Sequence, residues 1–344
     1  METKKHYIAY MDILGYSAYI SEHPDEANDF LETIISAIGK IKQSIENFTN
    51  ISKKGFHTEL NIKYKAFSDN ILICMEATDN TDEIHRITLF LISVASIQRG
   101  LFLQHKLLLR GGITIGELFI NNDFVFGQGL IDAVELEKRA ENPCIIISDE
   151  FATLCQNSIG VNQEDYEKIE KYVKAKNNNE KISKSIEKYY NENGEEFFTT
   201  LFYTQALRTL ISRFENELLF LNYLFDMSDI KLFGVEFLSF MKSERKRDPQ
   251  KFNNFMVCSD PIPYILKVHG DILAKKIIDY CHYDDIDKTD KRKVLEREKT
   301  IRKYIWVLRF HNIICEEYHL EQLLIPHHYA CDMNNLRIII EIDL

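Results

Sequence analysis

Residues 5–119 alternate strand-like and helix-like segments in the order strand, helix, strand, strand, helix, strand. The strand-like segments have alternating or continuous apolar side chains, while the helical ones repeat apolar residues every three or four positions. The segments span residues 5–15, 25–48, 60–67, 71–75, 81–102 and 107–119. Two long helices that cover one face of an antiparallel sheet form a ferredoxin-like α+β sandwich with the first strand in the centre, and we predict that fold.

Residue patterns in the rest of the chain predict three further segments of this domain and two additional parts of the protein. A strand at residues 124–126, a helix at 130–140 and a strand at 143–148 complete the first domain, for which we expect the limits 1–160. Residues 161–200 are rich in Lys, Glu and Asn and predict a charged helical arm. Residues 201–344 have apolar stripes at helical spacing, which predicts a mainly helical C-terminal extension.

Composition excludes several classes of function. The chain has 344 residues, is 45% apolar and has a net charge of −11, which argues against general binding to nucleic acid or to an anionic membrane. Arg99 and Lys106 interrupt its richest apolar segment, so we expect a soluble, cytoplasmic protein without membrane insertion. Seven cysteines without a Cys-x-x-Cys pair indicate reduced thiols.

Two carboxylates stand where neighbouring strands would end. Asp12 closes an apolar strand and is followed by the turn Gly15, Tyr16, Ser17, while Asp69 lies in the turn of the predicted hairpin. If the first strand lies beside that hairpin, both acids meet at one edge of the sheet. Such oxygen ligands suit Mg²⁺ or Mn²⁺, and two such ions can drive an in-line phosphoryl displacement. The backbone N–H groups of the glycine turn would face a polyphosphate.

Simpler structural roles exist for the same residues. Aspartates beside turns are commonly capping or turn residues, which applies to both Asp12 and Asp69. Lys65 fits a solvated strand position, and Glu135 can pair with Arg139 one helical turn further on. The two glycines at residues 111–112 indicate a bend in the strand rather than a phosphate loop. The histidines, which include the pair at residues 327–328, have no spacing typical of a metal site.

Four motifs resemble the catalytic domain of class III nucleotidyl cyclases, and they are most similar to the bacterial pyrimidine cyclases of the Pycsar antiphage systems. The motifs span residues 11–17, 65–70, 109–116 and 126–137. Residues 303–312 also resemble the tail of those enzymes. The resemblance covers about 150 residues well and the C-terminal part only loosely.

The resemblance implies a role for each matching position. Asp12 and Asp69 correspond to the metal-binding aspartates, and the backbone carbonyl of Ile13 corresponds to a further metal ligand. Arg110 corresponds to a phosphate-binding arginine, whose planar fork suits triphosphate oxygens. Lys65 corresponds to the position that contacts the purine base in adenylyl cyclases.

This chain also departs from the family pattern. Ile131 replaces the asparagine that orients the ribose, and Glu135 replaces the arginine that stabilises the transition state. Phe124, at the expected edge of the base pocket, has no purine-type acidic partner unless Asp123 turns inward. Lys138 or Arg139 of a partner subunit is one candidate substitute for the missing arginine.

The resemblance therefore implies a cyclase that converts UTP, or CTP, to the 3′,5′-cyclic monophosphate and pyrophosphate with two Mn²⁺ or Mg²⁺ ions. It further implies a homodimer with sites at the subunit interface, and an antiphage role through a separate effector that responds to the cyclic nucleotide. Two alternatives stay open. A purine cyclase is favoured by Lys65 and disfavoured by the missing asparagine and arginine, and a non-catalytic nucleotide-binding sensor is favoured by Ile131 and Glu135.

Overall fold

The structure is a computed structural model. The described residues are 2–22, 24–26, 32, 35, 62–77, 83–158, 163–213, 218–225, 262–281, 291–325, 327–332 and 337–342. The predicted helix at residues 25–48 lies almost entirely outside them.

The described strands fall into two sheets. The main sheet contains β1 (Lys4–Leu14), β2 (Ile62–Phe67), β3 (Asn70–Glu76), β4 (Leu108–Ile120), β5 (Val125–Phe126), β6 (Ile145–Ile147), β7 (Ile211–Arg213) and β8 (Leu219–Leu221). The second sheet pairs β9 (His327–Asp332) with β10 (Arg337–Ile342). The strands β1 to β6 lie close to the predicted strands, whereas β7 to β10 were not predicted.

The described α-helices are α1 (Tyr16–Glu22), α2 (Glu83–His105), α3 (Gln128–Arg139), α4 (Asp149–Ser158), α5 (Gln163–Asn177), α6 (Lys184–Leu210), α7 (Ile262–Cys281) and α8 (Lys291–Glu317). Short 3₁₀ helices occupy Pro24–Glu26 and Glu321–Leu323. The helices α6, α7 and α8 make the C-terminal region mainly helical, as predicted.

The order of strands confirms the predicted α+β fold. The main sheet has the order β2-β3-β1-β4-β6-β8-β7, and β5 pairs with β4 outside this path. The four strands β2, β3, β1 and β4 are antiparallel, with β1 in the centre, which is the ferredoxin-like arrangement. β6 joins β4 in parallel, so the complete sheet is mixed.

Alternation along β1 separates two apolar faces of the sheet. Tyr7 and Met11 face the main core, to which α2 contributes Phe90 and other fully buried side chains. Ile8 faces the opposite side, where it packs with Leu72 of β3 and with a smaller apolar cluster under α3. This second face becomes important because Asp12 shares its parity with Ile8.

Glycines allow α3 to lie directly on that second face. A Cβ atom at Gly112 would come within 2.3 Å of the Cβ of Leu136 and 2.6 Å of the carbonyl oxygen of Ala133. The pairing of β1 with β4 continues through Gly111 and Gly112. Gly112 serves the close approach of the helix to the strand, whereas a Cβ atom at Gly111 would come within 2.5 Å of the carbonyl oxygen of Tyr10 on β1.

The C-terminal region contributes to the same sheet and core. β8 pairs with β6 through Phe220 and Ile146, and the ring of Trp306 on α8 meets the ring of Phe220 edge-on at 5.6 Å between centroids. The charged segment after residue 161 forms the helices α5 and α6, whose Tyr172 and Tyr190 rings stack at 3.8 Å.

In the described part of the chain, α2 is the one helix with the length and apolar composition of a membrane span. Its most apolar 18-residue segment is 61% buried within the protein. It packs in the core beneath β1. Four of the described cysteines are buried free thiols, namely Cys74, Cys144, Cys155 and Cys315.

Candidate functional site

The sheet brings Asp12 and Arg110 together across two strands. Asp12 stands at the end of β1 opposite Arg110 of β4 on one side and Asn70 of β3 on the other. Its Oδ2 atom accepts a hydrogen bond from the Nε atom of Arg110 at 3.1 Å. The two residues that the sequence singled out on separate strands are therefore neighbours on one face.

Glu137 of α3 completes an ion-pair cluster around Arg110. Its Oε1 atom lies 2.6 Å from Nε of Arg110, and the residue is only 6% exposed. The N–H bond of Arg110 does not point at this oxygen, which is left without a hydrogen bond among the described residues. Glu137 ends the motif at residues 126–137, but no role was predicted for it, although it is a carboxylate on the apolar stripe of α3 between Ala133 and Ala140.

Asp69 is held next to the end of β1 by its backbone and its side chain. The N–H of Ile13 donates to the carbonyl oxygen of Asp69 at 2.8 Å, and Nδ2 of Asn70 donates to Oδ1 of Asp69 at 2.8 Å. Tyr10 donates from its hydroxyl to Oδ1 of Asn70 at 2.5 Å. Tyr10 and Asn70 were not predicted, but their register with Asp12 could have indicated them, because residues 10 and 12 share one face.

The ion pair with Arg110 only partly compensates the burial of the Asp12 carboxylate. Burial raises the pKa of Asp12, the Arg110 guanidinium opposes this shift, and the nearby Asp69 carboxylate adds to it. Burial also raises the pKa of Glu137, with Arg110 again opposing. Asp12 and Glu137 thus share one arginine while Asp69 repels Asp12, and a bound cation would relieve the repulsion among these carboxylates.

The arrangement fits a divalent metal that is completed by substrate. Among the described residues, no group of three or more His, Cys, Asp or Glu side chains is placed to hold a metal by itself. Asp12 and Asp69 supply two carboxylates, and Mg²⁺ or Mn²⁺ typically takes one or two protein carboxylates together with substrate phosphates. Ile13 lies between them in sequence and structure, with its side chain buried in the core, so the role of its carbonyl stays a prediction.

The predicted glycine turn follows Asp12 directly. Gly15 has a φ of +80°, which favours glycine, and α1 begins at Tyr16. The N–H of Tyr19 donates to the carbonyl oxygen of Gly15 at 3.0 Å, whereas the N–H groups of Tyr16 and Ser17 belong to the first turn, where a helix has no acceptors for them.

Lys65 and Phe124 lie beside a groove on the same face of the sheet. The groove has a volume of about 690 Å³ and is bounded by β2 and by the loop at residues 121–123. Lys65 Nζ donates to the carbonyl oxygen of Asn122. Lys65 pairs with Leu72 of β3, and Leu72 pairs with Tyr10 of β1. Tyr10 precedes Asp12 by two residues on the same face, so Lys65 lies in the neighbouring row of side chains on that face. Phe124 is 61% exposed at the tip of this loop.

The helix α3 presents the two departures from the family pattern to solvent. Ile131 is 53% exposed, and Glu135 and Arg139 are both exposed without the ion pair that their spacing indicated. Lys138 is also exposed, and its charge acts on Glu137.

A lysine from the C-terminal region also reaches the cluster. Lys303 of α8 is half-buried and interacts electrostatically with Arg110 and Asp12. Burial and the positive charge of Arg110 lower the pKa of Lys303, while Asp12 opposes that shift. Lys303 begins the tail motif at residues 303–312, but no role was predicted for it. Its position beside the buried apolar stripe of α8 is the feature of the sequence that could have indicated a role for Lys303.

The histidines that were considered for metal binding lie elsewhere. His311 is buried against His269, with 3.2 Å between their Nδ1 atoms, and His319 stands in an exposed turn after α8. The side chains of the pair at residues 327–328 lie outside the description.

Comparisons with known proteins give weak structural likenesses. No protein-family model matches the chain, and no curated protein matches it. The adenylyl cyclase CyaB from Pseudomonas aeruginosa is similar over 45% of this chain and 82% of its own, with 15% identity and a TM-score of 0.32. A class III adenylyl cyclase-like ATP-binding protein from Pseudomonas aeruginosa is similar over 46% of this chain and 37% of its own, with 12% identity and a TM-score of 0.29. Both TM-scores are below 0.5, so neither likeness says anything about the chemistry of this chain.

Proposed function

We propose that this protein is a metal-dependent nucleotide cyclase that converts UTP, or CTP, to the 3′,5′-cyclic monophosphate and pyrophosphate. The observation that carries the proposal is the position of Asp12 between Arg110 of β4 and the hairpin turn that holds Asp69, where neighbouring strands end. These residues provide carboxylates for divalent ions and a planar cation for phosphate oxygens within one small site.

The reaction is an internal displacement at phosphorus. The 3′-oxygen of the substrate attacks the α-phosphorus, the bond from that phosphorus to the bridging oxygen breaks, and pyrophosphate leaves with its electrons. The proton of the 3′-hydroxyl passes to solvent. Divalent ions, Mn²⁺ or Mg²⁺, would supply activation of the hydroxyl and neutralisation of the phosphate charge.

The protein groups have distinct tasks in this scheme. Asp12 and Asp69 hold the ions, with Ile13 offering its backbone carbonyl. Arg110 binds phosphate oxygens, and Glu137 keeps its guanidinium in place from the α3 side. The turn at Gly15 offers backbone N–H groups to the polyphosphate.

The preference for a pyrimidine base is part of the proposal and is supported by the sequence resemblance. A purine cyclase is the first alternative, because Lys65 stands at the position that contacts the base in adenylyl cyclases. The ammonium group of Lys65 donates to the carbonyl oxygen of Asn122 here, which does not add to that alternative. The second is a nucleotide-binding sensor without turnover, which the exposed Ile131 and Glu135 favour because neither residue can perform the task of the family's asparagine or arginine.

One assay separates these three functions. Purified protein is incubated with Mn²⁺ and each of the four labelled ribonucleoside triphosphates, and the products are identified by chromatography and mass spectrometry. We expect cyclic UMP or cyclic CMP together with pyrophosphate. A cyclic purine product would overturn the base assignment, and binding without pyrophosphate release would leave the sensor.

We further propose a homodimer with the site at its interface. Phe124 in the β4–β5 loop, Phe126 on β5 and Ile131 on α3 are large apolar side chains, each about half exposed or more, and α3 also carries Glu137 of the site. Light scattering should show twice the monomer mass for the wild type, and Phe124→Ser with Ile131→Ser should shift the protein to monomer. A wild-type monomer at the concentrations used for the activity assay would contradict this part of the proposal.

The biological setting follows the resemblance alone. The cyclic nucleotide would act in the cytoplasm on a separate effector in antiphage defence. The acidic chain would bind neither nucleic acid nor membrane, for the reasons of charge given above.

A further inference from the structure

The C-terminal helix α8 is fixed against the sheet near Arg110. Trp306 packs edge-on against Phe220 of β8, β8 pairs with β6, and β6 pairs with β4 beginning at Gly111. Val307 and Leu308 of the same helix are fully buried. The position of α8 is therefore set by the core, independently of any ligand.

Lys303 stands one helical turn before this anchored segment. Its neighbours Ile301 and Tyr304 are buried and Arg302 is exposed, whereas Lys303 itself is half-buried. From there its ammonium group lies within the electrostatic reach of Arg110, Asp12 and the exposed Lys299 one turn earlier.

The ammonium group has no counterion of its own in the described part of the chain. The carboxylates at the site, Asp12 and Glu137, pair with Arg110, and no described carboxylate lies within ion-pair distance of Lys303 Nζ. The positive charge of Arg110 acts more strongly on Lys303 than the negative charge of Asp12 does, so this position is unfavourable for a half-buried ammonium group. An anionic group bound between Lys303 and Arg110 would remove this repulsion.

We propose that Lys303 is a phosphate-binding residue, supplied by the C-terminal extension of the same chain, which holds the triphosphate of the substrate together with Arg110. The inference rests on the proposed function. It also answers what replaces the arginine that the family places at position 135, since a cation from α8 would meet the charge that develops on the phosphates as pyrophosphate leaves.

The test compares Lys303→Gln with Lys303→Arg and with Lys299→Gln. Lys299→Gln is the matched control, because it makes the same charge change on an exposed position of the same helix. Removal of one group that stabilises developing charge typically lowers turnover about 100-fold. We expect such a loss for Lys303→Gln, a smaller loss for Lys303→Arg, and nearly wild-type turnover for Lys299→Gln.

A binding measurement makes the test independent of turnover. Inorganic tripolyphosphate is titrated calorimetrically into each protein in the presence of Mn²⁺. We expect the affinity to fall at least about 10-fold for Lys303→Gln, since a charge-assisted contact is lost, and to change little for Lys299→Gln. The melting temperature of Lys303→Gln should equal or exceed that of the wild type, because the variant loses a charge that burial and Arg110 disfavour. Lys303→Met, which keeps the apolar stem, serves as the second variant if Lys303→Gln does not fold.

The outcomes distinguish the two proposals. If the wild type forms a cyclic nucleotide and Lys303→Gln matches Lys299→Gln in turnover and tripolyphosphate affinity, the role of Lys303 is wrong and the cyclase stands. If the wild type forms no cyclic nucleotide but binds tripolyphosphate through Lys303, the cyclase is wrong and the phosphate contact stands. If the wild type neither reacts nor binds tripolyphosphate, both proposals fall.

Discussion

At the scale of single residues, the candidate site divides into groups that local sequence could predict and groups that it could not. Asp12 and Asp69 follow from a strand end and a hairpin turn, which are local features. Glu137 and Lys303 come from helices, and their contacts depend on how those helices lie on the sheet. Periodicity predicts that a helix has a buried side, but it does not say which residue of a distant strand that side will meet.

The two aspartates should differ from ordinary surface acids in their response to metal. We expect Mn²⁺ to raise the melting temperature of the wild type, because a ligand that binds only the folded state stabilises it. Asp12→Asn and Asp69→Asn should lose this rise together with turnover. Asp271→Asn, which removes an exposed carboxylate on α7, is the control. A Mn²⁺ response in Asp69→Asn as large as that of the wild type would contradict the metal site.

The raised pKa of Asp12 sets the sign of a second effect of the same variant. Because folding favours the protonated form of this carboxyl, its charged form costs stability above the folded-state pKa, and that cost disappears as the pH falls through it. Asp12→Asn removes the charge, and Arg110 keeps Glu137 as a partner. Without metal at neutral pH, the variant should therefore melt at the same temperature as the wild type or higher, as differential scanning calorimetry can show.

At the scale of elements, the fold follows from patterns that a strand or helix carries within itself. The apolar patterns of β1 and β2 predicted central antiparallel strands, and the periodicity of α2 predicted a helix on one face of them. The short strands β7 and β8 contain three residues each, which is too few for alternation to be recognised, and they take their place from the sheet edge that β6 offers. The glycine pair of β4 was interpreted as a bend, whereas the structure shows that Gly112 lets α3 approach and that Gly111 faces the backbone of β1.

Gly112 tests the packing of α3 on the sheet. Gly112→Ala should lower the free energy of unfolding by about 1–3 kcal/mol, because the new Cβ would overlap Leu136 and the backbone of α3. Turnover should fall as well, since α3 carries Glu137. Gly100→Ala is the matched control: no atom lies within 4 Å of its added Cβ in the middle of α2, so it should stabilise by about 0.5–1 kcal/mol. Equal urea midpoints for the two variants would contradict the proposed contact.

At the scale of the whole molecule, the C-terminal region is held to the sheet by a buried chain of hydrogen bonds. Nε2 of His311 lies 3.1 Å from the carbonyl oxygen of Leu323, which can only accept, so this nitrogen carries the proton. Nδ1 of His311 must then accept from Nδ1 of His269 at 3.2 Å, and Nε2 of His269 accepts from the hydroxyl of Tyr223 at 2.8 Å. Both imidazoles are neutral, and every hydrogen bond has one donor. No sequence pattern announces this network, because its members are far apart in the chain.

Protonation of His311 would place two N–H groups face to face between His269 and His311, and protonation of His269 would put an N–H on the Nε2 atom that accepts from the Tyr223 hydroxyl. Burial lowers the pKa of both histidines, and their mutual interaction lowers that of His269 further. Below pH 6.5, the ordinary value, the unfolded chain therefore takes up protons that the folded protein does not, and stability falls as the pH falls. The slope approaches about 1.4 kcal/mol per pH unit for each proton.

Urea denaturation at pH 7.5 and 5.5 measures this loss. The wild type should lose stability between the two values, and His269→Gln should start lower at pH 7.5 but lose less, since one of the coupled groups no longer titrates. The raised pKa values of Asp12 and Glu137 act in the opposite direction, and they are unchanged in the variant, so the difference between the two proteins isolates the histidine pair. Equal losses in the two proteins would show that the His269–His311 contact does not control the acid sensitivity of the fold.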